Sequence, residues 1–220
     1  MELVTYQKYR TVEEAAEMVH LLKDNNIDYY IENIAPSIDI TFTGGTELEH
    51  KIAIKLYQND FDRVDKLMCN IAANSIDLVE EDHYLFEFTD DELFDMLKKY
   101  DEWSKTDLIL ARKILKDHGK DITDKQIEEL KKDRIKELKK PDKGSAFWLT
   151  IGFLFATFGG IIGMFIGYYH FRTKKTLPNG DRVLIYNKRT RKVGLYIFCI
   201  GIISLITGIL LWYSGVLQTQ

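Results

Sequence analysis

AFWLTIGFLFATFGGIIGMFIGYY, residues 146–169, and VGLYIFCIGIISLITGILLWYSGVL, residues 193–217, decide the reading of this chain. Neither stretch holds a charged residue. Each exceeds the ~20 residues that a helix rising 1.5 Å per residue needs to cross about 30 Å of hydrocarbon. Together they predict a hairpin of two transmembrane helices over residues 146–220. Aromatic side chains stand where such spans would meet head groups: Phe147 and Trp148, Tyr168 and Tyr169, Tyr196, then Trp212 and Tyr213.

Glycines suggest how the helices meet. Gly159, Gly163 and Gly167 are four apart and stack on one face, with Gly152, Ala156 and Gly160 beside them. Gly194, Gly201, Gly208 and Gly215 are seven apart, which keeps them nearly in line on a helix. Lipid supplies little hydrophobic drive between helices, so close backbone contact matters more. Gly159, Gly163, Gly167, Gly201 and Gly208 are therefore the candidate helix-packing residues, either between the two spans or between copies of the hairpin.

The connector, residues 172–192, carries eight basic residues and one acid, Asp181. Around Asn179-Gly180 it reads as a small β-hairpin. Arg172, Lys174, Lys175, Lys188, Arg189, Arg191 and Lys192 are candidates for contact with lipid head groups. Topology is contested within the sequence. The basic connector belongs in the cytoplasm, yet the approach to the first run, Lys131 to Lys143, is basic as well. A long acidic segment with no signal-peptide pattern at Met1 to Gln7 favours a cytoplasmic N-terminal domain. The expectation is a multi-pass protein of the cell inner membrane with both termini inside.

Residues 1–145 hold 22 basic and 33 acidic residues, a net of −11, whereas 146–220 have a net of +7. The acidic half argues against nucleic acid as a partner. Strand and helix patterns alternate over 3–88. Thr11 and Glu14 form a capping box ahead of Ala15, Met18, Val19 and Leu22. Ile38, Ile40 and Phe42 alternate before Gly44-Gly45, as do Ile52, Ile54 and Leu56 further on. Phe61, Val64, Leu67, Met68 and Ile71 line a second helix, and a last strand is expected near Asp77–Phe88. The predicted fold class is α+β: a ferredoxin-like domain over 1–75, a helical linker region over 76–145, and the two transmembrane helices.

The frame Val4-Thr5-Tyr6, Thr11-Val12-Glu13-Glu14-Ala15, Leu21 to Ile27, Ile52-Ala53-Ile54 and Asn59 to Val64 resembles a small prokaryotic signal-transducing protein domain. That family is described as a distant relative of nitrogen-regulatory trimer-forming proteins. The likeness covers about residues 3–73. It implies a sensing or adaptor role and carries no catalytic residues over. Residues 89–140 resemble a helical linker of bacterial membrane-anchored proteins, in which a turn like Asp101-Glu102-Trp103 joins two helices. That likeness implies architecture alone.

No chemistry-bearing constellation emerges. His20, His50, His83, His118 and His170 lack metal-ligand spacing. Glu80-Glu81-Asp82-His83 reads as a solvated linker, and Gly44-Gly45-Thr46 lacks the lysine of a phosphate-binding loop. Cys69 and Cys199 are neither paired nor activated by their neighbours in sequence. Neither apolar run holds an ionisable group, which counts against transport. The expectation is a membrane-anchored, non-catalytic sensing or adaptor protein with no cofactor. Its partners would be the lipid bilayer and a protein or a second copy. The alternative is a subunit of a membrane enzyme or transporter complex.

Overall fold

The computed structural model describes residues 2–34, 51–76, 82–158 and 160–218. The chain divides into two compact units, residues 1–138 with 176–181, and residues 139–175 with 182–220.

In the first unit, β1 (Leu3–Tyr9), α1 (Val12–Asp24), β2 (Tyr29–Ile34), β3 (Lys51–Tyr57) and α2 (Phe61–Ser75) follow in order. Strand β3 lies between β1 and β2 and is antiparallel to both. Period-two alternation along β3 and the helical period of α1 and α2 aim Leu22, Ile54, Leu56 and Val64 into one core, where all four are fully buried. Thr11 caps α1 by accepting from the Glu14 N–H at 3.2 Å, while the Glu14 carboxylate accepts from the Arg10 N–H at 3.0 Å.

The register of β1 slips between Thr5 and Gln7, leaving Tyr6 as a bulge. A bulge re-aims its side chain. Tyr6 thereby reaches α2, where its hydroxyl donates to Asp65 at 2.7 Å and its ring meets Phe61 edge-on at 5.0 Å. Burial, and then the Asp65 carboxylate, push this phenol far above its ordinary range. Lys105 completes the cluster 3.0 Å from Asp65. Tyr6→Phe should lower stability by about 1 kcal/mol, the net worth of one part-buried hydrogen bond. The readout is the urea midpoint from Trp103 fluorescence, with Trp148 and Trp212 replaced by phenylalanine. An unchanged midpoint would remove the bond from the account of stability.

Helices α3 (Asp90–Lys98), α4 (Lys105–Asp117) and α5 (Asp124–Leu138) close a second core around Leu85, Leu93, Leu110 and Leu115. Thr89 with Glu92 and Thr123 with Gln126 form reciprocal caps.

Three expectations are corrected. The α+β, ferredoxin-like assignment fails: 66% of the described residues are helical, and the N-terminal sheet has three strands. The last strand expected near Asp77–Phe88 lies partly outside the described residues, and Tyr84–Glu87 is a 3-10 turn capped by His83. The alternation at Ile38, Ile40 and Phe42, the Gly44-Gly45 turn and His50 also fall outside them.

The third correction is to the two transmembrane helices. The apolar run 146–169 holds two helices rather than one, α6 (Ala146–Phe158) and α7 (Ile161–Arg172), with Gly160 at the turn into α7. Thirteen and twelve residues reach only ~20 and ~18 Å, too short for about 30 Å of hydrocarbon. Among the described residues one helix, α8 (Lys188–Gln218), is long and apolar enough to cross, over Lys188–Gly215. The multi-pass expectation falls with the second span.

Candidate membrane-anchoring site

The second unit consists of α6, α7, the short strands β4 (Lys174–Thr176) and β5 (Arg182–Leu184) up to its borders, and α8. Gly160 has φ +58°, a backbone shape that glycine adopts without steric cost, and it turns α6 into α7. The two helices then lie against each other. A methyl group on Gly163 would overlap the Ala156 backbone, and one on Gly152 would come within 2.7 Å of Ile166. The close pairs mirror each other about the double glycine: Gly152 and Ala156 before it, Gly163 and Gly167 after it.

Helix α8 lines both. Gly201 touches the Gly160 carbonyl and Gly194 the Gly167 carbonyl, so α7 runs antiparallel to α8. Gly152 faces Ile197, and the Ser204 hydroxyl donates to the Thr157 carbonyl at 3.0 Å, so α6 runs parallel to it. The start of α6, the end of α7 and the start of α8 therefore share one end. The Gly160 turn stands opposite Gly201 and Leu205.

Of the candidate packing glycines, the structure brings Gly163, Gly167 and Gly201 into these contacts. Gly208 has open space around it, as does Gly215. Gly159 lies outside the described residues. From Ile206 to Gly215 every residue of α8 is exposed.

The shared end is tied together by the connector. The Asp142 N–H donates to Ile185 and the Asn187 N–H to Asp142, both at 2.8 Å, and the Ile185 N–H donates to Thr173 at 3.1 Å. The Thr190 hydroxyl donates to the Lys143 carbonyl. His170 is buried, and its Nδ1 lies 2.9 Å from the Ile166 carbonyl, which fixes the proton on that nitrogen. Its ring stacks on Tyr186 at 4.8 Å. Burial, and then neighbouring Tyr169, push the Tyr186 phenol up to about 12.

The basic side chains form a collar at this end. Arg172, Lys174, Lys188, Arg189 and Lys192 are exposed; Lys175 and Arg191 are half-buried. The Arg191 Nε donates to the Phe171 carbonyl at 3.3 Å, fastening α8 to the end of α7. The unit holds eleven basic residues and one acid, Asp142, and none of them lies within 144–171 or 193–218.

In the first unit two of the singled-out histidines, His83 and His118, serve local structure. His83 accepts from the Leu85 N–H, and His118 pairs with Asp90 at 2.6 Å. Together with Lys120, His118 holds the Asp90 carboxyl below its ordinary range. Among the described residues no group of three His, Cys, Asp or Glu is placed to hold a metal ion.

Compared with family models, curated proteins and solved structures, the chain matches none.

Proposed function

We propose that this chain is a membrane-tethered, non-catalytic recognition module. Unit 1 is the sensing or adaptor head, and α8 holds it at a bilayer. The observation that carries the reading is the exposure of α8. Only 17% of its most apolar 18-residue window is buried, although mean hydropathy there is 2.4. A core helix of a soluble protein would be covered; this one needs an apolar surrounding. Positive residues beside a span favour the cytoplasmic face. The collar therefore supports a cytoplasmic head at an inner-membrane-type bilayer, with the uncharged end of α8 on the far side. The resemblance of residues 3–73 to a signal-transducing domain supports a head that binds a protein or a small ligand.

Extraction of membranes with alkaline carbonate tests the tether. The full chain should stay in the membrane pellet, and a chain with Ile200, Ile203 and Ile206 changed to arginine should not. Three charges at mid-span cost several kcal/mol on any insertion scale. Release of the unaltered chain would end the tethering reading.

A further inference from the structure

We propose that α6 and α7 form a half-depth wedge that enters and leaves the bilayer through one leaflet, its outer face covered by that leaflet's acyl chains, so that the chain crosses only at α8. The inference rests on the reading that α8 spans a bilayer, and four observations carry it.

Depth comes first. The last charge before the apolar part of α8 is Lys192, and the wedge tip lies opposite Gly201 and Leu205. That interval is about 9 to 13 residues, or roughly 14–20 Å at 1.5 Å per residue, near half of a ~30 Å core.

Exposure comes second. Phe158 at the tip is 86% exposed, and Phe165 is 64% exposed. Such a surface is unstable in water and suited to acyl chains.

Polar satisfaction comes third. The chain has five Ser and Thr residues within 146–171 and 193–215, and every hydroxyl donates to a backbone carbonyl of the same unit. Thr150 reaches Ala146, Thr157 reaches Phe153, Thr207 reaches Ile203, and Ser214 reaches Leu211. Ser204 reaches Thr157, a carbonyl that the end of α6 would otherwise leave bare. Hydrocarbon demands this internal pairing, whereas water would not.

Charge comes fourth. All eleven basic residues flank the end where the wedge would enter and leave, and none lies at its tip. Anionic head groups of that leaflet complement them.

Single cysteines in a chain with Cys69 and Cys199 changed to serine test the wedge. A membrane-impermeant maleimide is applied to spheroplasts and to inverted vesicles. Ser145→Cys and Lys174→Cys should label only from the cytoplasmic face, and Gln218→Cys only from the other. Phe158→Cys should label from neither until detergent is added. Labelling of Ser145→Cys and Lys174→Cys from opposite faces would mean that α6 and α7 cross the bilayer, which overturns the wedge. Labelling of Phe158→Cys without detergent would put the tip in water, and its ready disulfide-linked dimerisation would mean that a second copy covers it; either overturns the proposal. Labelling of Gln218→Cys from the same face as Lys174→Cys would overturn the α8 span as well.

Discussion

Gly163→Leu should abolish the α6–α7 hairpin, while Gly208→Leu should leave it closed. Both changes put the same apolar side chain into a helix of the same unit, so hydrophobicity does not separate them. What differs is the neighbour. A Cβ on Gly163 meets the nitrogen, Cα and Cβ of Ala156, and backbone atoms cannot swing aside as a side-chain tip can. Overpacking ordinarily costs about 1–3 kcal/mol. A collision with backbone at the tightest helix contact belongs at or above the top of that range. A Cβ on Gly208 meets nothing within 4 Å. Disulfide formation between Thr157→Cys and Ser204→Cys, with Cys199 changed to serine, reports whether α6 lies on α8. It should fall to background in Gly163→Leu and persist in Gly208→Leu. Equal crosslinking in the two would contradict the hairpin.

The sequence shows why these glycines matter but does not show their partner. Regular spacing marks a close-contact face, and Gly163, Gly167, Gly194 and Gly201 do make close contacts. Spacing is silent on whether a run of 24 uncharged residues stays straight. The legible sign is the mirror order about Gly159-Gly160, with a small pair four apart on either side. Two adjacent glycines also remove the side chains that would hold one helix through the middle of the run. The N-terminal half was legible where the signal is local: the cap at Thr11, and the apolar faces of α1 and α2. It was not legible where tertiary pairing decides. Residues 84–87 are apolar enough for a strand, yet His83 accepts from the Leu85 N–H and commits them to a turn. The bulge at Tyr6 and the Asp65–Lys105 cluster depend on contacts 59 and 40 positions along the chain, beyond any periodic pattern.

The proposed wedge would remove the topology conflict within the sequence. A basic approach and a basic connector contradict each other only if a span separates them. With α6 running in and α7 running back, Lys143 and Arg172 stand at one end of the unit. The positive-inside rule then makes one demand rather than two opposed ones.

Arg134→Met should be the most damaging single charge removal in the first unit, at about 2 kcal/mol. The expectation follows from where the guanidinium sits. Its side chain is only 10% exposed, and it forks onto both carboxylate oxygens of Asp101, at 2.7 and 3.1 Å. It also bonds Glu102 and, at 3.3 Å, Glu137. One residue of α5 thereby fixes the turn at Asp101-Glu102-Trp103 that joins α3 to α4. Exposed ion pairs contribute ~0–1 kcal/mol, and breaking a buried pair costs about 3–5. Asp101 at 17% exposure lies toward the buried case, whereas Glu102 and Glu137 are well solvated and contribute little. Methionine keeps most of the apolar stem, so the loss reports the charge and the fork rather than packing. Arg134→Lys separates those two, because it retains the charge without the planar pair of donors, and it should recover only part of the loss. The urea midpoint from Trp103 fluorescence measures all three chains. In a double-mutant cycle, Asp101→Asn should lose most of its own effect once Arg134 is methionine. If the two losses simply add, the fork is not what holds the turn.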